Sequence, residues 1–167
     1  AADASPEQVV DTSGKKLPAG LSYYIVPAVP LTRCGRYARC MSGGGLSRCA
    51  PGSHGLPLQF SPVGPTKGAV RVSTDLNIMF STDHTSCAEY STVWKLDHFD
   101  VSKGKLFVTS GGSIGNPSWE TIRNWFKIEK CDGAHKIVYC PSVFPSSSSK
   151  HMCKDNKLNV KSEMAIR

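Results

Sequence analysis

The chain has 167 residues with a formal net charge of +7, 40% hydrophobic and 20% charged residues, 15 Gly, 11 Pro and 7 Cys. This is one domain's length with enough apolar content for a core, which excludes a chain disordered throughout. No apolar run reaches the ~18 residues of a membrane span, and the polar start AADASPEQ lacks the basic-then-apolar pattern of a signal segment, as expected of a mature end.

The basic balance does not by itself mean nucleic acid. The lysines and arginines are scattered, no block of like charge forms, and no aromatic-basic recognition strand is present. A solvated basic surface is the better reading. The cysteines, Cys34, Cys40, Cys49, Cys87, Cys131, Cys140 and Cys153, form no C-x-x-C pair. Their spacing excludes zinc knuckles and ribbons. Together with the Pro, Gly and Ser content it predicts a secreted, disulfide-stapled β protein. An odd number leaves at least one thiol free or paired with another chain.

In chain order, Val9-Val10 begins a strand and Asp11-Thr12-Ser13-Gly14 a turn, because Asp and Ser bond nearby backbone and Gly accepts positive φ. The run Tyr23-Tyr24-Ile25-Val26 suits a pleated, half-buried surface. Pro27 and Pro30 end it by removing donors. Residues 31–46 read as a loop, within which a local Cys34–Cys40 disulfide fits. Gly43-Gly44-Gly45 lacks the Lys-Ser/Thr and helix of a phosphate loop and reads as a turn or close backbone contact.

Strands are predicted at 56–60, 70–72, 76–80, 92–96, 106–109, 126–129 and 136–139, with the Pro- and Gly-rich loop 61–68 exposed between the first two. One short helix is predicted at 119–125, with Ser118 as its cap and Glu120 in its first turn. Short strands at regular spacing with turn residues between them predict an all-β sandwich or barrel. A weak repeat in three units of roughly 50 residues suits a closed threefold architecture.

Several stretches, taken in order, resemble the plant Kunitz-type (soybean trypsin inhibitor-like) inhibitors, miraculin-like branch. They are VVDTSGKKLPAGLSYYIVPA from residue 9, GGGL at 43–46, GLPLQFSP at 55–62, VRVSTDLNIMFS at 70–81, STVWKLDHFD at 91–100, NWFKIEK at 124–130 and YCPSV at 139–143. The resemblance runs from about residue 9 to residue 155. It implies one β-trefoil domain over 1–167, a barrel of six strands capped by three hairpins, with Tyr23-Tyr24-Ile25 in the barrel wall. It implies two disulfides, Cys49–Cys87 and Cys140–Cys153. The second closes a short loop around Ser146–Ser149 and is worth about 3 kcal/mol in the chain-entropy model. Relatives also continue through two further strands past Cys153-Lys154-Asp155, so the third unit is expected to be short here.

The resemblance further implies a reactive loop between the fourth and fifth strands that enters a serine-protease cleft as a substrate would. Here that loop is Ser61–Ala69, with Pro62, Val63, Gly64, Pro65, Thr66, Lys67 and Gly68. A trypsin-like primary pocket carries a carboxylate and selects Lys or Arg before the scissile bond. Lys67 is the only basic residue of the loop, which makes Lys67–Gly68 the expected scissile pair. Relatives often carry an Asn near Ala19 whose amide braces the loop from inside, a role that Ala19 cannot fill, and CAPGSH at 49–54 is short where relatives carry a further strand.

These features predict a monomeric serine-protease inhibitor, a secreted or vacuolar seed protein of plant defence, with a trypsin-like protease as partner and no cofactor, metal, membrane or nucleic acid. The alternatives are a non-inhibitory storage or miraculin-like protein and an inhibitor of α-amylase or another glycosidase. A carbohydrate-binding trefoil is weaker, since its shallow aromatic pockets find no counterpart in the pattern. An enzyme is not expected. Ser110-Gly111-Gly112-Ser113 is not G-x-S-x-G, and Asp83-His84 and Asp97-His98 are adjacent residues, which on a strand face opposite ways. Asn116-Pro117-Ser118 has Pro in the middle and is no glycosylation acceptor. Trp94, Trp119 and Trp125 are assigned to core or capping positions.

Overall fold

The computed structural model describes residues 5–26, 39–42, 45–48, 56–64, 68–81, 91–100, 105–131, 134–143 and 163–166. Its strands are β1 (Ile25–Val26), β2 (Arg39–Ser42), β3 (Gly45–Arg48), β4 (Leu58–Pro62), β5 (Leu76–Phe80), β6 (Trp94–Asp100), β7 (Lys105–Ser110), β8 (Lys127–Cys131), β9 (Ala134–Val138) and β10 (Glu163–Ile166). Among the described residues a 3-10 helix covers Trp119–Asn124.

Six of these strands follow one another around a closed wall. β1 pairs with β10, β10 with β9 and β9 with β8, all antiparallel. The bridge Leu76↔Phe126 carries the ring from the start of β8 to β5. β5 pairs with β4, and Tyr23↔Leu58 returns to the chain just before β1. Closure of this kind removes sheet edges. The hairpins β2–β3 and β6–β7 lie outside the ring and join through Gly45↔Thr109.

The wall forms because its strands bury alternate residues. In β9, His135 and Ile137 are buried between half-buried neighbours. In the opening segment Tyr23 and Ile25 point inward while Tyr24 is exposed. One continuous core results, including Val9, Leu17, Phe60, Leu76, Ile78 and Ile128. Aromatic rings interlock within it: Phe126 meets Trp94 edge-on at 6.2 Å and Tyr139 at 5.8 Å, between ring centroids. The first turn is built as the sequence predicts. Asp11 Oδ1 accepts from the Ser13 and Lys15 amides at 2.8 and 2.9 Å, and Gly14 takes φ +78°. The Ser13 hydroxyl also donates to Asp11 Oδ1 at 2.7 Å, and this bond, followed by that from the Lys15 amide, holds the Asp11 carboxyl below its ordinary range.

Three expectations change. Residues 39–48, read largely as loop, contain the hairpin β2–β3. Its strands pair from Arg39↔Arg48 to Ser42↔Gly45. Residues 70–72 form no strand of their own but meet the N-terminal segment through the isolated bridge Gln8↔Arg71. Beyond Asp155 the described residues include β10, which lies between β9 and β1. Asp97 and His98 do not face opposite ways. The β6–β7 register shifts between Leu96 and His98, and this bulge lets Asp97 Oδ2 meet His98 Nδ1 at 2.6 Å. Both remain exposed, and His98 stacks on Phe107. Of the three tryptophans, Trp94 and Trp125 are buried, whereas Trp119 is exposed.

Candidate functional site

The loop predicted to carry function leaves the barrel at the end of β4. Pro62 is the last residue of that strand and pairs with Leu76, so Ser61 and Pro62 belong to the wall rather than to the loop. A proline can end a strand there because no ladder donor is needed of it. The next amide, Val63 N–H, donates to Asp75 O at 2.9 Å and closes the base of the loop. Gly64 follows, exposed, with φ +79°. Pro65, Thr66 and Lys67 lie outside the described residues. The far shoulder begins at Gly68, exposed with φ +135°.

That shoulder is sewn to the opening stretch of the chain. Gly68 O accepts from Ala19 N–H at 3.1 Å, Ala69 bridges to Pro18, and Val70 N–H donates to Leu17 O at 3.0 Å. Val9 N–H then donates to Val70 O at 2.8 Å, with Val9, Leu17 and Val70 fully buried. Ala19, near which the resemblance implied a bracing amide, therefore holds the loop through its backbone alone. Its methyl packs against the core.

A second anchor lies beneath the loop, and sequence reasoning missed it. Asp75 is 6% exposed, and both of its carboxylate oxygens accept from Ser142 N–H, at 3.1 and 3.0 Å. Lys127 Nζ donates to Ser142 Oγ and brings its charge close to the same carboxylate. Burial raises the Asp75 carboxyl above its ordinary range, against the Ser142 bond and the Lys127 charge, which lower it. Just upstream, Ser73 N–H donates to Ile128 O at 2.9 Å and Ser73 Oγ to Glu129 Oε2 at 2.7 Å. Asp75 and Ser142 are 67 residues apart, so no local pattern announces the pair.

Cys140, two residues before Ser142, is disulfide-bonded. Cys49, Cys87 and Cys153 of the predicted pairs lie outside the described residues, as does Cys34. Among the described residues no group of three or more His, Cys, Asp or Glu side chains is placed to hold a metal ion, and no helix is long and apolar enough to cross a membrane. The arrangement is suited to presenting a short segment of backbone on two fixed shoulders.

Comparison with known proteins agrees with this architecture. The family model described as trypsin and protease inhibitor, of the legume Kunitz type, matches residues 9–166. The chain is 43% identical to miraculin of Synsepalum dulcificum over 165 residues, covering 93% of this chain and 74% of that protein. It is 34% identical over 168 residues to Kunitz trypsin inhibitor 5 of Arabidopsis thaliana, covering 92% and 75%. Among solved structures, a Kunitz-type cysteine protease inhibitor from potato superposes with a TM-score of 0.64 at 26% identity, covering 96% of this chain and 91% of that one. The closed ring of strands is thus a β-trefoil barrel, and the chain belongs to the plant Kunitz family of trypsin and protease inhibitors.

Proposed function

We propose that this protein inhibits a trypsin-like serine protease by offering the loop that leaves β4 after Pro62, residues 63–69, to the enzyme as a substrate segment, with Lys67 filling the acidic primary pocket and Lys67–Gly68 as the scissile pair. The supporting observation is the double anchorage of the loop, Val63 N–H on Asp75 O and Ala19 N–H on Gly68 O. A segment held at both shoulders before binding loses less conformational freedom when it docks. The same anchorage keeps the two ends of a cut bond together, which favours resealing over release. The protein acts in this reading by binding and not by catalysis, as a monomer that is secreted or stored in the vacuole.

Titration of trypsin with wild type and Lys67→Ala tests it. Wild type should inhibit at or below micromolar concentration, and the substitution should weaken inhibition on the order of thirtyfold or more, as for a central anchor side chain. No inhibition by wild type at micromolar concentration sinks the proposal. One observation favours a second reading, a non-inhibitory storage or miraculin-like protein: Ala19 turns its methyl to the core and holds the loop shoulder by its backbone amide alone, with no side-chain amide to brace it. An α-amylase assay on the same sample separates the remaining alternative.

A further inference from the structure

We infer that Asp75 is a positioning residue for the presented loop, fastening its base to the segment that follows Cys140. The residue makes two attachments in different directions. Its main-chain oxygen takes the Val63 amide at the near shoulder of the loop. Its carboxylate takes the Ser142 amide with both oxygens. Among the described residues its carboxylate, at 6% exposure, is held by this amide and by the nearby Lys127 charge. Burying one without a partner is costly, and a charged acceptor on a backbone amide is among the stronger hydrogen bonds a protein makes.

The surroundings are arranged around that link. Lys127, itself 8% exposed, donates to Ser142 Oγ, so Ser142 is held by the acid through its amide and by the amine through its hydroxyl. Lys127 opens β8, and β8 also grips Ser73 through Ile128 O and Glu129 Oε2. Residues 73 and 75 are thereby fixed on one side by β8 and on the other by residue 142. The chain between Val63 and Asp75 is left to rise from a rigid base. Because Ser142 follows the disulfide-bonded Cys140 by two residues, the covalent staple at Cys140 is mechanically continuous with the loop. This role is separate from that of the Ala19 side of the loop, where only backbone atoms act.

The test is amide hydrogen exchange at Val63 in wild type, Asp75→Ala, Asp75→Asn, Ser142→Pro and Tyr139→Phe, with the Tyr23 amide as internal reference. Asp75→Ala removes the acceptor. Ser142→Pro removes the donor and leaves the acid in place, which keeps the question open to measurement should Asp75→Ala not fold. Both should speed exchange at Val63 about tenfold to a hundredfold, with Tyr23 unchanged. Asp75→Asn retains an acceptor oxygen and should fall between them and wild type. Tyr139→Phe removes a buried hydrogen bond away from the loop and should leave Val63 protected. In parallel, trypsin should cut Lys67–Gly68 faster in Asp75→Ala and Ser142→Pro. That arm alone rests on the inhibitor reading. If wild type fails to inhibit while Val63 exchange responds as expected, the inhibitor reading fails and the positioning role stands. Unchanged protection of Val63 in a folded Asp75→Ala or Ser142→Pro overturns the role. An equal effect from Tyr139→Phe also overturns it, by showing general loosening.

Discussion

Tyr139 shows how much a single buried polar atom can govern. Its ring is 3% exposed and stands edge-on to Phe126, while its hydroxyl donates to Ile122 O at 3.2 Å. Burial pushes the phenol up to about 12, against a smaller opposing effect of Arg123. In the unfolded chain the phenol loses its proton near pH 10. Between that pH and about 12 the folded chain keeps a proton that the unfolded chain has lost. The contribution is therefore complete below pH ~10 and disappears as pH rises through the folded value, a loss on the order of 2–3 kcal/mol. Tyr139→Phe should cost about 1 kcal/mol at neutral pH through the missing hydrogen bond. It should also flatten the alkaline limb of a denaturation series. An unchanged alkaline limb would assign that limb to other groups.

At the scale of elements, the 3-10 helix is tied to the barrel by one side chain of β5. Asn77 is fully buried. Its Nδ2 donates to Asn124 O at 2.9 Å, and its Oδ1 accepts from Gly115 N–H at 2.8 Å. The amide thus satisfies both the end of the helix and the turn that precedes it. Asn77→Ala leaves a carbonyl and an amide without partners in a dry site, and should cost about 2–5 kcal/mol. Chemical denaturation measures it; a loss under about 1 kcal/mol would mean that water replaces the side chain. The elements this residue joins were legible in very different degrees. Leu76–Phe80 is a continuous apolar-rich run and reads directly as a strand, as it is. Ser118 and Glu120 mark the helix start, where Ser118 N–H donates to Thr121 Oγ1 at 2.9 Å. The hairpin at 39–48 did not read, because Arg-Cys-Met-Ser against Gly-Leu-Ser-Arg has no alternation for a core to impose. The Asp97–His98 contact did not read either, because a bulge suspends the alternation on which the argument relied. At the site, Gly64 and Gly68 read as turn positions from local chemistry, and both take positive φ. The Asp75–Ser142 anchor was not, because tertiary folding alone brings those residues together.

On the scale of the whole molecule the vulnerable place is the seam where the barrel closes. β10 is the strand that connects the last hairpin to the first strand, with Met164 opposite His135 and Ala165 opposite Val26. His135 is 9% exposed and lies opposite Lys130 on β8, which also pairs with Glu7. Burial lowers the imidazole's affinity for a proton, the Lys130 charge lowers it further, and Glu7 opposes both. The sign follows directly. Below pH ~6.5 the unfolded chain takes up a proton at this residue before the folded chain does. The stabilisation is present above that pH and is lost as pH falls toward the depressed folded value. Asp75 works in the opposite sense. Its raised carboxyl accepts a proton in the folded chain first, so acid relieves that burial cost. The two effects separate by substitution. His135→Gln should reduce the drop in Tm between about pH 7 and about pH 4, since the neutral amide has no proton to gain. It should also slow the rise of exchange at the Ala165 and Ile166 amides under acid, if the seam opens from β10. Equal acid sensitivity in wild type and His135→Gln would place the acid weakness outside the seam. A flattened Tm profile without protection at β10 would keep His135 as the sensor and move the opening elsewhere in the wall.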